Sequence, residues 1–218
     1  MRKSDMELQD DVVAELRWDP SIRDEEIAVA VKDGVVTLAG TVYSYAQRRA
    51  AEKAAERVSG VRAIAEELHV KLASDHSRTD TELAHAVVDA LRWNSQVPLN
   101  AVTARVEKGW VTLEGDVEWQ FQRDAAERAI HDLIGVRGVM NLVAIKPRVS
   151  TFDVTKRIKE ALRRRAELDA SKIQVEAKDG TVTLRGSVRN WQERTDAESA
   201  AWAAPGVTRV EDDLALRP

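Results

Sequence analysis

One seven-residue phrase is written three times along this chain. It reads Gly-Val-Val-Thr-Leu-Ala-Gly at 34–40, Gly-Trp-Val-Thr-Leu-Glu-Gly at 109–115 and Gly-Thr-Val-Thr-Leu-Arg-Gly at 180–186. A third glycine keeps the same offsets of 75 and then 71 residues, as Gly60, Gly135 and Gly206. Agreement at fixed offset means a repeated structural unit. Each copy is about 70 residues, near the lower size limit for a domain that holds its own core without metals or disulfides. That length exceeds a solenoid repeat, so the expectation is three tandem small domains at 1–73, 77–147 and 150–218. The pattern lapses at Ala73-Ser74-Asp75-His76-Ser77 and at Lys146-Pro147-Arg148-Val149-Ser150. Both linkers are short, so neighbouring domains are expected to touch.

Within a copy, hydrophobic spacing gives the elements. Leu8, Val12 and Leu16 correspond to Leu83, Val87 and Leu91 and to Val154, Ile158 and Leu162. A spacing of four puts each trio on one helix face. Asp5, Asp80 and Asp153 precede these runs and are candidate caps. Ile27, Val29 and Val31, with their counterparts, alternate with period two, as a strand with one buried face does. Asp33-Gly34, Lys108-Gly109 and Asp179-Gly180 then read as hairpin turns. The partner strand is Val35–Ala39 and its equivalents, rich in β-branched residues. A second helix is expected over roughly Tyr45–Val58, Trp119–Leu133 and Trp191–Ala203, ended by Gly60, Gly135 and Gly206. A last strand carries Leu68 and Val70, Val143 and Ile145, Leu214 and Leu216. The fold class is α+β: three tandem αββαβ domains, each a three-stranded mixed sheet packed on two helices, with a right-handed final crossover if its strands are parallel.

Gly-x-Val-Thr-Leu-x-Gly is followed two residues later by Val42, Val117 or Val188, and Gly-Val stands at 60–61, 135–136 and 206–207. This order, length and glycine pattern resembles the BON domain, the bacterial module named for osmotically inducible and nodulation proteins. The resemblance covers essentially the whole chain. It implies a non-enzymatic module of envelope or stress-related proteins that associates with phospholipid surfaces or supports transport and osmotic tolerance. Typical members carry two copies behind an export signal or lipoprotein anchor. Here Met1-Arg2-Lys3-Ser4-Asp5-Met6-Glu7 has no apolar stretch behind it. A cytoplasmic location is therefore expected, with the periplasm as the family-typical alternative.

Composition removes several classes of chemistry. There is no cysteine, so disulfides, thiolate metal sites and a Cys nucleophile are excluded. No apolar run reaches the roughly 18–20 residues of a membrane-spanning helix. The four histidines, His69, His76, His85 and His131, recur in no copy and lack metal-ligand spacing. No phosphate loop, dinucleotide fingerprint or nucleophile elbow is present. Neither an enzyme nor a cofactor is expected. The net charge of −4 argues against a nucleic-acid binder. Gly135-Val136-Arg137-Gly138 resembles the GxxG loop of KH domains, but such a loop joins two helices and this one precedes a strand.

What remains are candidate contact surfaces. Lys156, Arg157, Lys159, Arg163, Arg164 and Arg165 crowd the first helix of copy three. Charge runs commonly form only a solvated helix face. This one is also the best candidate for contact with an anionic phospholipid surface, each basic side chain adding about 1 kcal/mol there. Envelope proteins are the alternative partners, in a protein–protein scaffold without lipid affinity. Of six tryptophans, Trp18 and Trp93 correspond at the end of the first helix, and Trp119 and Trp191 lie at the start of the second. Core or interdomain packing is the expectation for them. Arg48, Arg123 and Arg194 precede Glu52, Glu127 and Glu198 by four residues, the spacing of a helical ion pair. Gly34, Gly109 and Gly180, like Gly60, Gly135 and Gly206, suit turns and helix ends. Gly40, Gly115 and Gly186 sit at an expected strand exit, where no turn rule demands glycine.

Overall fold

A computed structural model describes residues 3–73, 78–147, 154–164 and 172–216. Copy one runs α1 (Asp5–Trp18), β1 (Ile27–Lys32), β2 (Val35–Val42), α2 (Tyr45–Arg57) and β3 (Ala63–Val70). Copy two repeats the order as α3 (Asp80–Trp93), β4 (Val102–Glu107), β5 (Trp110–Val117), α4 (Gln120–His131), β6 (Gly138–Asn141) and β7 (Ala144–Ile145). Copy three has α5 (Val154–Arg164), β8 (Ile173–Lys178), β9 (Thr181–Val188), α6 (Trp191–Trp202) and β10 (Arg209–Leu216). The described residues up to Val117 together with Phe121–Ala144 form one compact unit, and Glu118–Gln120 with the described residues from Ile145 onward form a second. The linker residues 74–77 and 148–150 lie outside the described residues, as does Asp153.

The strand built on the repeated phrase is central in every sheet. β2 pairs antiparallel with β1 and parallel with β3, and β9 pairs in the same two senses with β8 and β10. The α+β class with mixed sheets is therefore what the periodicities indicate. Copy two departs in one detail. Its third strand is split into β6 and β7, both paired with β5. At the break Asn141 donates its side-chain amide to the Arg123 carbonyl at 3.1 Å, and its Oδ1 accepts the Val143 N–H at 3.3 Å. The side chain thus competes with the ladder for the backbone groups.

Each helix trio faces its own core. Leu8, Val12 and Leu16, and likewise Leu83, Val87 and Leu91, are buried, as are Ile158 and Leu162. They meet buried residues of the central strand, Val36, Leu38 and Val42, Val111, Leu113 and Val117, or Val182, Leu184 and Val188. In copy three these join Ile173, Val175, Val207 and Leu214 in one cluster, against which Trp202 packs. The second helix presents alanine to the sheet, with Ala51, Ala54 and Ala55 in copy one and Ala197, Ala200 and Ala201 in copy three. Small side chains let the helix approach closely.

Asp5 and Asp80 are not the caps. Ser4 and Thr79 are, each accepting the N–H of a glutamate three residues on that bonds back to the cap in return. The aspartates stand one residue inside and reach the hairpin turn. Asp5 accepts the N–H groups of Asp33 and Gly34 at 2.9 and 3.1 Å; Asp80 accepts those of Lys108 and Gly109 at 2.7 and 2.9 Å. Both residues of each turn have positive φ, 52° and 78° at Asp33-Gly34, the type I′ geometry that suits a two-residue hairpin.

The second glycine of the phrase is a strand residue rather than a strand exit. Gly40 pairs with Ile27 inside β2 and has φ 135°. A Cβ there would lie 2.0 Å from the Glu26 carbonyl oxygen; at Gly115 and Gly186 the same collision comes from Ala101 and Lys172. A neighbouring backbone occupies the space, so the glycine answers to packing and not to a ligand. Gly60, Gly135 and Gly206 lie a few residues beyond the helix ends, in the turn leading to the third strand. A Gly40→Ala substitution is expected to destabilise the chain by about 2 kcal/mol or more, because a backbone carbonyl must move and an alanine must hold a strained φ. Urea unfolding measures this; a loss below about 0.5 kcal/mol would show that the close approach is absent.

Candidate functional surfaces

The charged cluster of copy three is built on an amphipathic helix. Ile158 and Leu162 anchor α5 to its core, while Lys156, Arg157, Lys159, Arg163 and Arg164 are all exposed. Arg165 lies outside the described residues. Glu160 is the one acidic residue of α5, and none of the five cations forms an ion pair among the described residues. Arg157, Glu160 and Arg164 edge an open groove of about 320 Å³ between α5 and the end of α6, lined also by Ala161, Ala200 and Ala204. Short side chains on both helices leave that space unfilled. Lys156, Lys159 and Arg163 line a second depression of about 270 Å³ on the same helix. The helix can offer unpaired donors and positive charge to an anionic group.

Trp18 and Trp93 do not follow the expectation of core or interdomain packing. Trp18 is 83% exposed and Trp93 86%. Each lies two residues past the last buried leucine of its helix, which turns it well away from the buried face. Val88 and Leu99, which border one shallow depression of copy two, are exposed as well. Trp119, Trp191 and Trp202 are half-buried, and Trp110 lies over Gly138.

The recurring arginines of the second helix do not pair with the glutamates four residues on. Arg48 instead forms a two-pronged bond to Glu66 on β3, one arm at 3.1 Å. Arg123 donates to the Asn141 carbonyl on β6 at 3.0 Å, and Arg194 to Asp212 on β10 at 2.5 Å. The partner stands 18 residues further on each time, so the arginine fastens the crossover helix to the strand it leads into. Glu66 holds the Arg48 guanidinium above its already high range. Glu52 pairs with Arg49. A constant 18-residue spacing between arginine and a polar residue was the sequence signal for this clasp.

Copies one and two meet through their second helices. The rings of Tyr45 and His131 lie 5.3 Å apart at 59°, and Arg49 sits in the field of Glu127. Burial, and then the charge of Glu52, raise Glu56 above the usual carboxylate range on this helix. The expected contact between neighbouring domains is thus present for this pair.

Among the described residues no group of three or more His, Asp or Glu side chains could hold a metal ion. No described helix is long and apolar enough to cross a membrane. Gly135–Gly138 leads from α4 into β6 and so does not join two helices. Iodide quenching of fluorescence checks the tryptophan assignment. A Trp18→Phe, Trp93→Phe double variant is expected to lose the most readily quenched component, and an unchanged quenching curve would contradict the exposure of these rings.

Comparison with known proteins agrees with the repeat. The BON domain family model matches residues 4–71, 79–147 and 150–218. Osmotically-inducible protein Y of Escherichia coli (strain K12) is 34% identical over 125 residues, 56% of this chain and 62% of that protein, so the match spans less than two thirds of the relative's length. Among solved structures, CdsD, a structural protein of the Type III secretion system of Chlamydia trachomatis, aligns with 97% of this chain and 93% of its own, at 16% identity and a TM-score of 0.26. The CdsD C-terminal domain aligns at 14% identity, also with a TM-score of 0.26, over 99% of this chain and all of its own. Superpositions at that score establish nothing about a shared function. With its family motif matched in three tandem stretches that cover nearly every residue, the chain belongs to the BON domain family.

Proposed function

We propose that this chain is a non-catalytic, osmotic-stress-associated protein of the cell envelope that docks on anionic phospholipid surfaces through α5. The observation that carries the reading is the charge arrangement of that helix. Five exposed cations and a single acid share one face, while Ile158 and Leu162 hold the other face in the core. An anchored helix is pre-ordered, so binding costs little backbone entropy, and each cation near an anionic surface contributes about 1 kcal/mol. Similarity to a protein named for osmotic induction supports the stress setting. The cytoplasmic location expected from the N-terminus has no support in that similarity.

A scaffold reading, in which the partner is a protein, draws on the exposed Trp18 and Trp93. Aromatic side chains with a polar edge suit protein interfaces. The two readings differ in salt and lipid dependence. Surface electrostatics weaken as the screening length falls from about 10 Å at 0.1 M salt to about 3 Å at 1 M.

Vesicle co-sedimentation separates them. Binding to vesicles containing phosphatidylglycerol, but not to pure phosphatidylcholine vesicles, is expected at low salt. It should weaken at least tenfold at 0.5 M salt and in an Arg157→Ala, Arg163→Ala, Arg164→Ala variant. Equal absence of binding to both vesicle types would refute the membrane reading and favour the scaffold.

A further inference from the structure

The cations of α5 do not form one continuous face. With about 100° between successive helix residues, the direction opposite the buried Ile158 and Leu162 is taken by the exposed Glu160. Arg157 and Arg164 fall on one flank of this crest, and Lys156, Lys159 and Arg163 on the other. An anionic surface laid flat across the crest would meet a carboxylate first. The flanks also differ in what lies beside them. The depression along Lys156, Lys159 and Arg163 is otherwise bordered only by Thr155 and Glu160. The groove along Arg157 and Arg164 has a floor of alanine, Ala161 from α5 and Ala200, Ala203 and Ala204 from the end of α6 and just beyond it.

Copy one shows why the space is open. There Glu15 of α1 and Arg57 of α2 form an ion pair at 2.7 Å that ties the first helix to the second. At the repeat offsets these two positions become Ala161 and Ala203. Asp11 and Trp18 become Arg157 and Arg164. Copy three thus loses the tie between its helices and gains a cation at each end of the vacated space, the two standing about 10 Å apart along the helix axis.

We propose that the α5–α6 groove seats one glycerophospholipid of an anionic membrane, its phosphate held by Arg157 and Arg164 and the start of its hydrocarbon laid on the alanine floor. The seat rests on the membrane reading above and assigns the flank of α5 that meets the lipid. Arginine suits the rim because its planar fork presents paired donors to phosphate oxygens. A groove of about 320 Å³ is at the small end for a ligand site, so it takes a headgroup and the first carbons of a chain and leaves the rest in the bilayer. Apolar contact with the floor adds an attraction that salt does not screen. Glu160 on the crest turns the helix onto this flank.

The test compares full-length variants on vesicles of phosphatidylglycerol in phosphatidylcholine at low salt. Arg157→Gln with Arg164→Gln, and Lys156→Gln with Lys159→Gln, each remove two charges. The arginine pair is expected to weaken binding about tenfold or more, and the lysine pair far less. Ala161→Glu with Ala203→Arg restores the ion pair of copy one at constant net charge, and is expected to close the groove and weaken binding several-fold. Ala161→Leu fills the groove by a second route and should do the same. Methyl NMR with short-chain phosphatidylglycerol below its micelle concentration should shift Ala161, Ala200 and Ala204, with glycerol 3-phosphate producing much smaller changes. Equal losses from the two charge pairs, with full binding by both groove variants, would overturn the seat and leave the membrane reading standing. Methyl shifts as large with glycerol 3-phosphate would overturn the apolar floor. A wild-type chain that binds neither vesicle nor short-chain lipid overturns both readings.

Discussion

Copies one and two close around the hairpin turn, where three distant parts of the segment meet. In copies one and two an aspartate of the first helix holds both N–H groups of the turn. From the other side, the turn that follows the second helix donates to its glycine carbonyl: Arg62 to Gly34 at 2.9 Å, Arg137 to Gly109 at 2.9 Å and Thr208 to Gly180 at 2.8 Å. Backbone groups of a tight turn left buried without partners would cost about 1–3 kcal/mol each. The bonds thus set the register of the hairpin against the first helix and start the parallel pairing of the third strand. Conserving the spacing from phrase to later glycine across copies follows from this junction, since the two turns must arrive together.

How much of this was legible in sequence differed by the kind of physics involved. Hydrophobic period is a property of neighbours in the chain, and it located the Leu8–Val12–Leu16 face, the alternating β1 and the hairpin correctly. The Gly40 position was misread because its constraint is non-local: the Glu26 carbonyl approaches from a preceding segment. Asp5 lay close enough to α1 to suggest a cap, yet Ser4 holds that role and leaves the aspartate free to bond across the fold. The arginines were assigned to the nearest suitable acid, whereas the third strand presents a partner that is distant in sequence and better placed in space. Trp18 and Trp93 recur at one position, and recurrence alone does not distinguish burial from display.

The repeat separates what the scaffold requires from what each copy adds. Glycines, the Val-Thr-Leu core and the arginine of the second helix hold their places throughout. The solvent face of the first helix does not: Asp10 and Asp11 stand where copy two has His85 and Ala86 and copy three has Lys156 and Arg157, and the exposed Trp18 and Trp93 give way to Arg164. Net charge tracks this, from acidic in copy one to slightly basic in copy three. One architecture therefore displays three surfaces, of which the third suits anionic groups. Linked modules can add weak contacts into useful avidity when geometry lets them engage together.

The proposed docking of α5 on anionic lipid is tested most directly by paramagnetic broadening of the chain's amide resonances by spin-labelled lipid in anionic nanodiscs. The account predicts that the amides of Val154–Arg164 broaden first, and that the effect disappears in zwitterionic nanodiscs. Broadening centred on Trp18 and Trp93 while α5 remains sharp would contradict it.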